Sequence, residues 1–406
     1  MRVFTLLSAA MALIAAPLAA QVALPRVQLP QVGPEIGATL DSLDELRASL
    51  RRTVDRLARE RLRTIDRLVR RNTDVIEMDA EGAPARRGEL LVMDVSVKAL
   101  DLALQAGFTM LSREEIEALD LSVVRLGVPA GLNLADAQLL LAQLLPTAQV
   151  SADTLHFQSG SANGAVFAIS AQGSASGSVP VGMIDGAPGP SVNVAETRGF
   201  AKGAPYPSNH GSSVAALLAS AGADTIRVAD VYGADKAGGN ALAMAKGLGW
   251  LVSSGSQVVT ISLVGPSNAV LERAIGAAQR KGVVVVAAVG NDGPAAPPAY
   301  PASYKGVVAV TAVDGKRRAL IEAGRALHLD YSAPGADIYG RNAKGKRIGL
   351  RGTSFATPLV ASRIARAMGQ GRNWRSALDA EAIDLGRKGP DDTYGRGLVC
   401  STCKGR

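Results

Sequence analysis

Cysteine is almost missing from this chain. Only Cys400 and Cys403 occur in 406 residues, which excludes a disulfide scaffold. Their Cys-Ser-Thr-Cys spacing at a chain end does not read as a redox motif, which would open a helix after a strand. A zinc site would need more ligands. A local disulfide or two free thiols is expected there. Histidine is nearly as scarce: His156, His210 and His328 are the three candidates for imidazole chemistry. Aromatic residues make up 4%. No stretch after residue 20 is apolar over the ~20 residues that a membrane-spanning helix needs, and Val283 to Val289 reads as a short buried strand. Glycine, by contrast, is abundant at 44 residues, which suits helices and strands packed closely together.

The formal charge is +8, and it is unevenly spread. Between Arg47 and Arg71 ten arginines stand against Asp55, Glu60 and Asp66, a net of seven positive charges. Over residues 40–72, Leu43, Leu46, Leu50, Val54, Leu57, Ile65 and Leu68 recur at helical spacing. The segment reads either as a solvated amphipathic helix packed on the body or as a helix for an anionic membrane surface or a partner. No nucleic-acid partner is expected.

Residues 1–20 read as a signal peptide. Arg2 supplies the positive end, Val3 to Ala16 is apolar, and Pro17-Leu18-Ala19-Ala20 offers small residues for cleavage. The mature protein is expected to be exported, to a periplasm or outside the cell. Residues 21–74 hold a linker and the basic helix. Residues 75–158 carry strand patterns at Glu89–Val95, Phe108–Leu111, Ser122–Val128 and Gln149–Phe157, with helices at Val97–Ala106 and Leu134–Leu145. This β-α-β-β-α-β order is ferredoxin-like. Residues 159–177 are rich in Gly, Ser and Ala and read as a flexible connector. From 178 to 400, continuous apolar runs alternate with helices, the signature of a doubly wound, mostly parallel α/β sheet covered on both faces. Residues 401–406 form a tail.

Four segments of this last unit carry chemistry. Val181-Gly182-Met183-Ile184-Asp185 ends a strand with a carboxylate. Asn209-His210-Gly211 opens a helix with an imidazole. Val289-Gly290-Asn291 ends another strand with an amide. Gly352-Thr353-Ser354-Phe355-Ala356-Thr357-Pro358 puts a hydroxyl at a helix start. Carboxyl ends of parallel strands face a common crevice, so groups distant in sequence can meet. A serine needs a base to act as nucleophile. A histidine has the right basicity, and a buried carboxylate fixes its tautomer. An amide can receive the oxyanion that develops.

These segments, with Tyr331-Ser332-Ala333-Pro334-Gly335 and Tyr394-Gly395-Arg396-Gly397, resemble the subtilases over roughly residues 178–400. The chain order Asp, His, Ser is the subtilisin order. The resemblance implies a serine endopeptidase that hydrolyses peptide bonds through an acyl-enzyme. Asp185, His210 and Ser354 would be its triad and Asn291 its oxyanion donor. Ser262, Leu263 and Val264 would pair with the backbone of a protein or peptide substrate. It also implies that the ferredoxin-like unit is a propeptide, an intramolecular inhibitor cut off by the enzyme itself between about 150 and 178. No cofactor is implied. Calcium stabilises many subtilases, but no acidic loop here has recognisable ligand spacing. The chain departs from the family in Gly186, where Thr or Ser is usual, in Ser212, where Thr is usual, and in Val264, where Gly is usual. Two rival readings stay open: a catalytically weak pseudopeptidase, and a peptide-binding, membrane-associated protein using the same fold.

Overall fold

The computed structural model describes residues 40–158, 161–162 and 177–403. The expected signal peptide, the linker before residue 40 and most of the expected connector over 159–177 lie outside these residues. The described residues open with helix α1 (Leu40–Arg71). Its half-buried positions Val54, Leu57, Arg61, Ile65 and Leu68 form one stripe at three- and four-residue spacing. Asn72 closes the helix by donating its side-chain amide to the Leu68 carbonyl at 2.9 Å.

An antiparallel unit follows: β1 (Ile76–Met78), β2 (Pro84–Met93), α2 (Val97–Gln105), β3 (Thr109–Ile116), β4 (Leu121–Gly127), α3 (Leu134–Leu144) and β5 (Gln149–Thr154). Strands run in the order β5-β2-β4-β3, with β1 on the start of β2. That is the strand order of a ferredoxin-like β-α-β-β-α-β path. Ser96 and Asn133 start the two helices by accepting backbone N–H bonds from Ala99 and Asp136. Leu90 and Val92 of β2 face a core shared with α2 and α3. Leu91 and Met93 point to the opposite face, as the two-residue period of a strand requires.

Gln149 to Phe157, read above as one strand, divides in two. β5 stops at Thr154, and Phe157–Gln158 form a separate short strand, β6. Leu155 gives its N–H to the Pro84 carbonyl at the start of β2 at 2.9 Å and also bridges to Asn240. Ser161–Ala162 are β7, inside a stretch whose composition suggested only a linker.

The second unit contains β8 (Val181–Asp185), β9 (Glu196–Gly199), α4 (Asn209–Ser220), β10 (Ile226–Asp230), α5 (Ala241–Ser253), β11 (Val258–Ile261), β12 (Leu263–Val264), α6 (Ala269–Arg280), β13 (Val284–Ala288), β14 (Val308–Val313), β15 (Tyr331–Pro334), β16 (Ala336–Arg341), β17 (Arg347–Arg351), α7 (Thr353–Gly369) and α8 (Trp374–Glu381). Seven strands form one sheet, β15-β14-β13-β11-β8-β10-β9, and every pairing in it is parallel. The chain moves one way from β8 to β10, then crosses back to β11. The carboxyl ends of β8 and β11 therefore flank a topological switch point, where such sheets form their sites. β8, β11 and β14 are buried along their whole length, which explains their unbroken apolar runs.

Helices α4 and α7 cover one face, with Val214, Leu217, Phe355 and Leu359 in its core. Helices α5 and α6 cover the other, and there Leu91, Met93, Leu121 and Val123 of the first unit join the same core. The two units thus share buried apolar surface, the dominant favourable term in association. Near the C-terminus Cys400 and Cys403 form a disulfide, and the Cys400 N–H bonds Glu381 at 2.8 Å.

Candidate functional site

Asp185 is the last residue of β8 and is fully buried. Its Oδ1 accepts the Gly186 N–H at 2.7 Å. His210 is the second residue of α4. Ser208 caps that helix, accepting the Gly211 N–H at 2.9 Å, and Ser-x-x before the first turn is a readable cap signal. The His210 Nδ1 lies 2.9 Å from Asp185 Oδ2 and 3.0 Å from Oδ1. The carboxylate therefore holds the proton on Nδ1 and leaves Nε2 as the basic atom. Nε2 is buried and has no hydrogen-bond partner.

Two glycines let the strand end and the helix start approach this closely. A side-chain carbon at Gly211 would overlap the Gly186 carbonyl, and one at Gly186 would sit 2.5 Å from the Ser208 Oγ. The departure at Gly186 thus makes room for the cap that positions His210.

Ser354 lies in the first turn of α7, fully buried. Pro358 inside this helix has no N–H to give the Ser354 carbonyl. The Ser262 Oγ donates to that carbonyl instead, at 2.8 Å. In return the Ser354 Oγ donates to the Ser262 carbonyl at 3.0 Å. Phe355 packs its ring 5.4 Å from the His210 ring, which places the imidazole against the serine segment. Asn291 follows β13. Its Oδ1 accepts the Thr353 N–H at 3.0 Å, while its Nδ2 is buried without a partner. The Thr353 Oγ1 donates to the Gly290 carbonyl at 3.1 Å, fixing the β13 end to the α7 start. Asp185 therefore ends β8, and Ser262 and Asn291 follow the adjacent strands β11 and β13, with His210 and Ser354 delivered by two helices from one face.

Leu263 and Val264 form β12, and its edge is occupied. β6 pairs with it antiparallel, Gln158 opposite Leu263 and Phe157 opposite Val264. On the other side the His156 N–H bonds the Gly239 carbonyl at 2.8 Å. The fully buried His156 ring lies against Gly265, where a side-chain carbon would come within 2.7 Å of it. β7 pairs with β17, Ser161 opposite Arg351 and Ala162 opposite Leu350. Gln158 Nε2 reaches Asp185 Oδ1 at 3.1 Å. Sequence reasoning missed Gln158 and β17 and gave His156 no place: the two residues of β6 carry no periodicity, and the five of β17, with basic ends and a glycine centre, show none either. Among the described residues no cluster of three His, Cys, Asp or Glu side chains is placed to hold a metal ion.

Fold and site together define a serine hydrolase built on an open parallel sheet. The chain belongs to the subtilase family, whose sequence model matches residues 190–397, and is a serine-type endopeptidase. It is 33% identical to subtilisin BL of Lederbergia lenta over 229 residues, 52% of this chain and 83% of that protein. It is 30% identical to subtilisin DY of Bacillus licheniformis, over 57% of this chain and 92% of the relative. Among solved structures it is similar in fold to fervidolysin from Fervidobacterium pennivorans, a keratinolytic enzyme related to subtilisin. That likeness has a TM-score of 0.62 at 18% identity and covers 79% of this chain and 61% of the other. Asp185 precedes the matched residues 190–397.

Proposed function

We propose that this endopeptidase is exported and acts through Asp185, His210, Ser354 and Asn291, first of all on its own chain. The observation that carries the reading is the Asp185–His210 hydrogen bond in the crevice that also holds Ser354. His210 Nε2 takes the Ser354 proton as Oγ attacks the scissile carbonyl, and the buried Asp185 stabilises the imidazolium. The Asn291 Nδ2 and the positive end of α7 face the oxyanion. His210 returns the proton to the leaving amine, and water then releases the acyl group. Ser262, Leu263 and Val264 bind substrate as an added antiparallel strand, the mode in which β6 lies on β12. No helix among the described residues is long and apolar enough to cross a membrane, and residues 1–20 supply the export signal. The eight exposed arginines of α1 favour a peripheral anionic membrane surface as a further partner.

The tail supports self-processing. Gln158 stands opposite Leu263, and Ser161 stands opposite Arg351. Counting inward from both registers, the middle of the three bonds between them is Ser159–Gly160, in two residues outside the described ones. Mature enzyme is expected to begin at Gly160, within the wider window read from composition, and Ser354→Ala protein to stay whole. N-terminal sequencing of both decides it. A cut before Phe157 or after Ala162 refutes the register, and an equally cut Ser354→Ala protein assigns processing to another enzyme.

Docking of the cut unit should sense pH through two buried groups of opposite sign. Burial pushes His156 down from 6.5 to about 4. Its support for docking is complete above 6.5 and is lost as pH falls toward 4. Burial pushes Asp153 up from 3.8 to about 7, despite its bond from the Leu242 N–H. Its effect weakens docking as pH rises from 3.8 toward 7. Between about 4 and 6.5 release binds one proton at His156 and frees one at Asp153, so wild-type docking should be nearly flat. His156→Phe should leave docking that weakens with rising pH, and Asp153→Asn docking that weakens with falling pH. Each slope is at most about tenfold per pH unit. Dissociation constants of the cut complex across this range test the pair, and two flat variants would refute it.

A further inference from the structure

Helix α1 lies across the mouth of the cleft. Leu57 packs on Gly293, and Arg61 pairs with Asp292 at 3.2 Å, both in the loop that follows Asn291. Further along, Leu68 and Val69 pack with Phe157 against Leu155 and Ala237. Leu57 and Val69 are about 18 Å apart along the helix. One stripe therefore spans from the Asn291 loop to the tail in the cleft. The opposite face is strongly basic. Eight arginines, from Arg51 to Arg71, are exposed against three exposed acids, Asp55, Glu60 and Asp66. Leu62, at the edge of the stripe, is 61% exposed.

We propose that α1 is a strap with two competing seats for its apolar stripe, the mouth of this cleft and an anionic lipid surface, so that lipid binding lifts it off the enzyme. The argument is one of exclusion. A basic amphipathic helix enters a bilayer interface by its apolar face, with arginines meeting the headgroups. Here that face is already seated on the Gly293 loop and on the Leu155–Ala237 cluster that Phe157 also packs against. The helix cannot hold both seats at once. A soluble polyanion differs, because it can bind the arginines and leave the stripe where it is. Coupling between the seats is reciprocal, so whatever weakens the cleft seat must strengthen lipid binding by the same factor.

That reciprocity supplies the test. Asp292 is not on the helix, so changing it alters the cleft seat and leaves the helix's own lipid affinity untouched. The cleft mouth is named from the function proposed above, but the measurement is binding, not turnover. It uses the full chain carrying Ser354→Ala, which keeps strap and cleft in one molecule whether or not the enzyme cuts itself. The chain is titrated with vesicles of phosphatidylcholine containing phosphatidylserine, with pure phosphatidylcholine vesicles, and with heparin. Wild-type Asp292 should bind the anionic vesicles only, and less as salt rises. Asp292→Asn should bind them about two- to fivefold more tightly, the scale of an exposed ion pair. Asp292→Arg, which faces Arg61 with a like charge, should bind more tightly still. Hydrogen exchange over residues 54–69 and 291–293 should rise on vesicles and not on heparin. The proposal is overturned if anionic vesicles do not bind, if both Asp292 variants bind them no more tightly than the parent, or if exchange at 291–293 is unmoved by bound lipid. Melting curves of the variants confirm that each is folded before it is titrated.

Discussion

Ser354→Ala is expected to lower kcat for peptide hydrolysis by about 10⁴-fold or more, and His210→Ala by a similar factor. The site leaves no substitute for either group. Asp185 is bonded to His210 Nδ1, and the other two histidines cannot replace it. His156 is buried in the tail pocket and His328 bonds the Val307 carbonyl at 2.8 Å. The alanine at 354 removes only a hydroxyl. The Ser262 Oγ still has the Ser354 backbone carbonyl to bond, so the start of α7 should keep its shape and melting temperature should move little. Because serine and histidine act as one unit, the double variant should be no slower than either single one. A fluorophosphonate probe should label wild type and neither variant. Hydrolysis near the wild-type rate in either would remove both residues from the mechanism, and an unlabelled but folded wild type would favour the pseudopeptidase reading.

The parts legible in the sequence are those where one physical rule dominates. β8, β11, β13 and β14 are buried on both faces, so their composition alone marks them. Ser354 and His210 open helices, and helix starts have a local grammar that needs no tertiary knowledge. The parts that were not legible depend on contacts distant in sequence. β6 and β7 are strands only because β12 and β17 offer edges to them. β17 itself reads Arg-Ile-Gly-Leu-Arg, with basic ends and a glycine centre, and pairs because β16 folds back on it. β9 and β15 extend the sheet at its two edges; β9 is half-exposed, which blurs its pattern, and β15 is buried but only four residues long. The basic helix was visible as a helix, but its partner was not. Only the placement of Leu57 and Arg61 on the Asn291 loop shows that its apolar stripe has a seat on this chain. The Gly186 departure is a further case. As a sequence difference it looked like a lost hydroxyl beside the carboxylate, whereas in the fold its bareness admits the Ser208 cap.

Asn291→Ala should reduce kcat by about 10²–10³ with KM little changed, because an oxyanion donor acts in the transition state and hardly in the ground state. The side chain has two ends with separate duties, and this allows a cleaner test than alanine alone. Its Oδ1 accepts the Thr353 N–H at 3.0 Å, which orients the amide. Its buried Nδ2 has no partner, the state of a donor kept for a charge that forms only during reaction. Alanine removes both ends and should cost about 1 kcal/mol of stability through the lost bond to Thr353. Asn291→Asp keeps the acceptor, replaces the donor by a second oxygen, and sets a negative charge where the oxyanion must form. It should be at least as slow as alanine while retaining the Thr353 bond and more of the melting temperature. If Asn291 were only a turn residue, aspartate would serve nearly as well as asparagine, and kcat would follow stability. Slow turnover with the Thr353 bond retained therefore belongs to the oxyanion role alone, and near-normal kcat in Asn291→Asp would refute it.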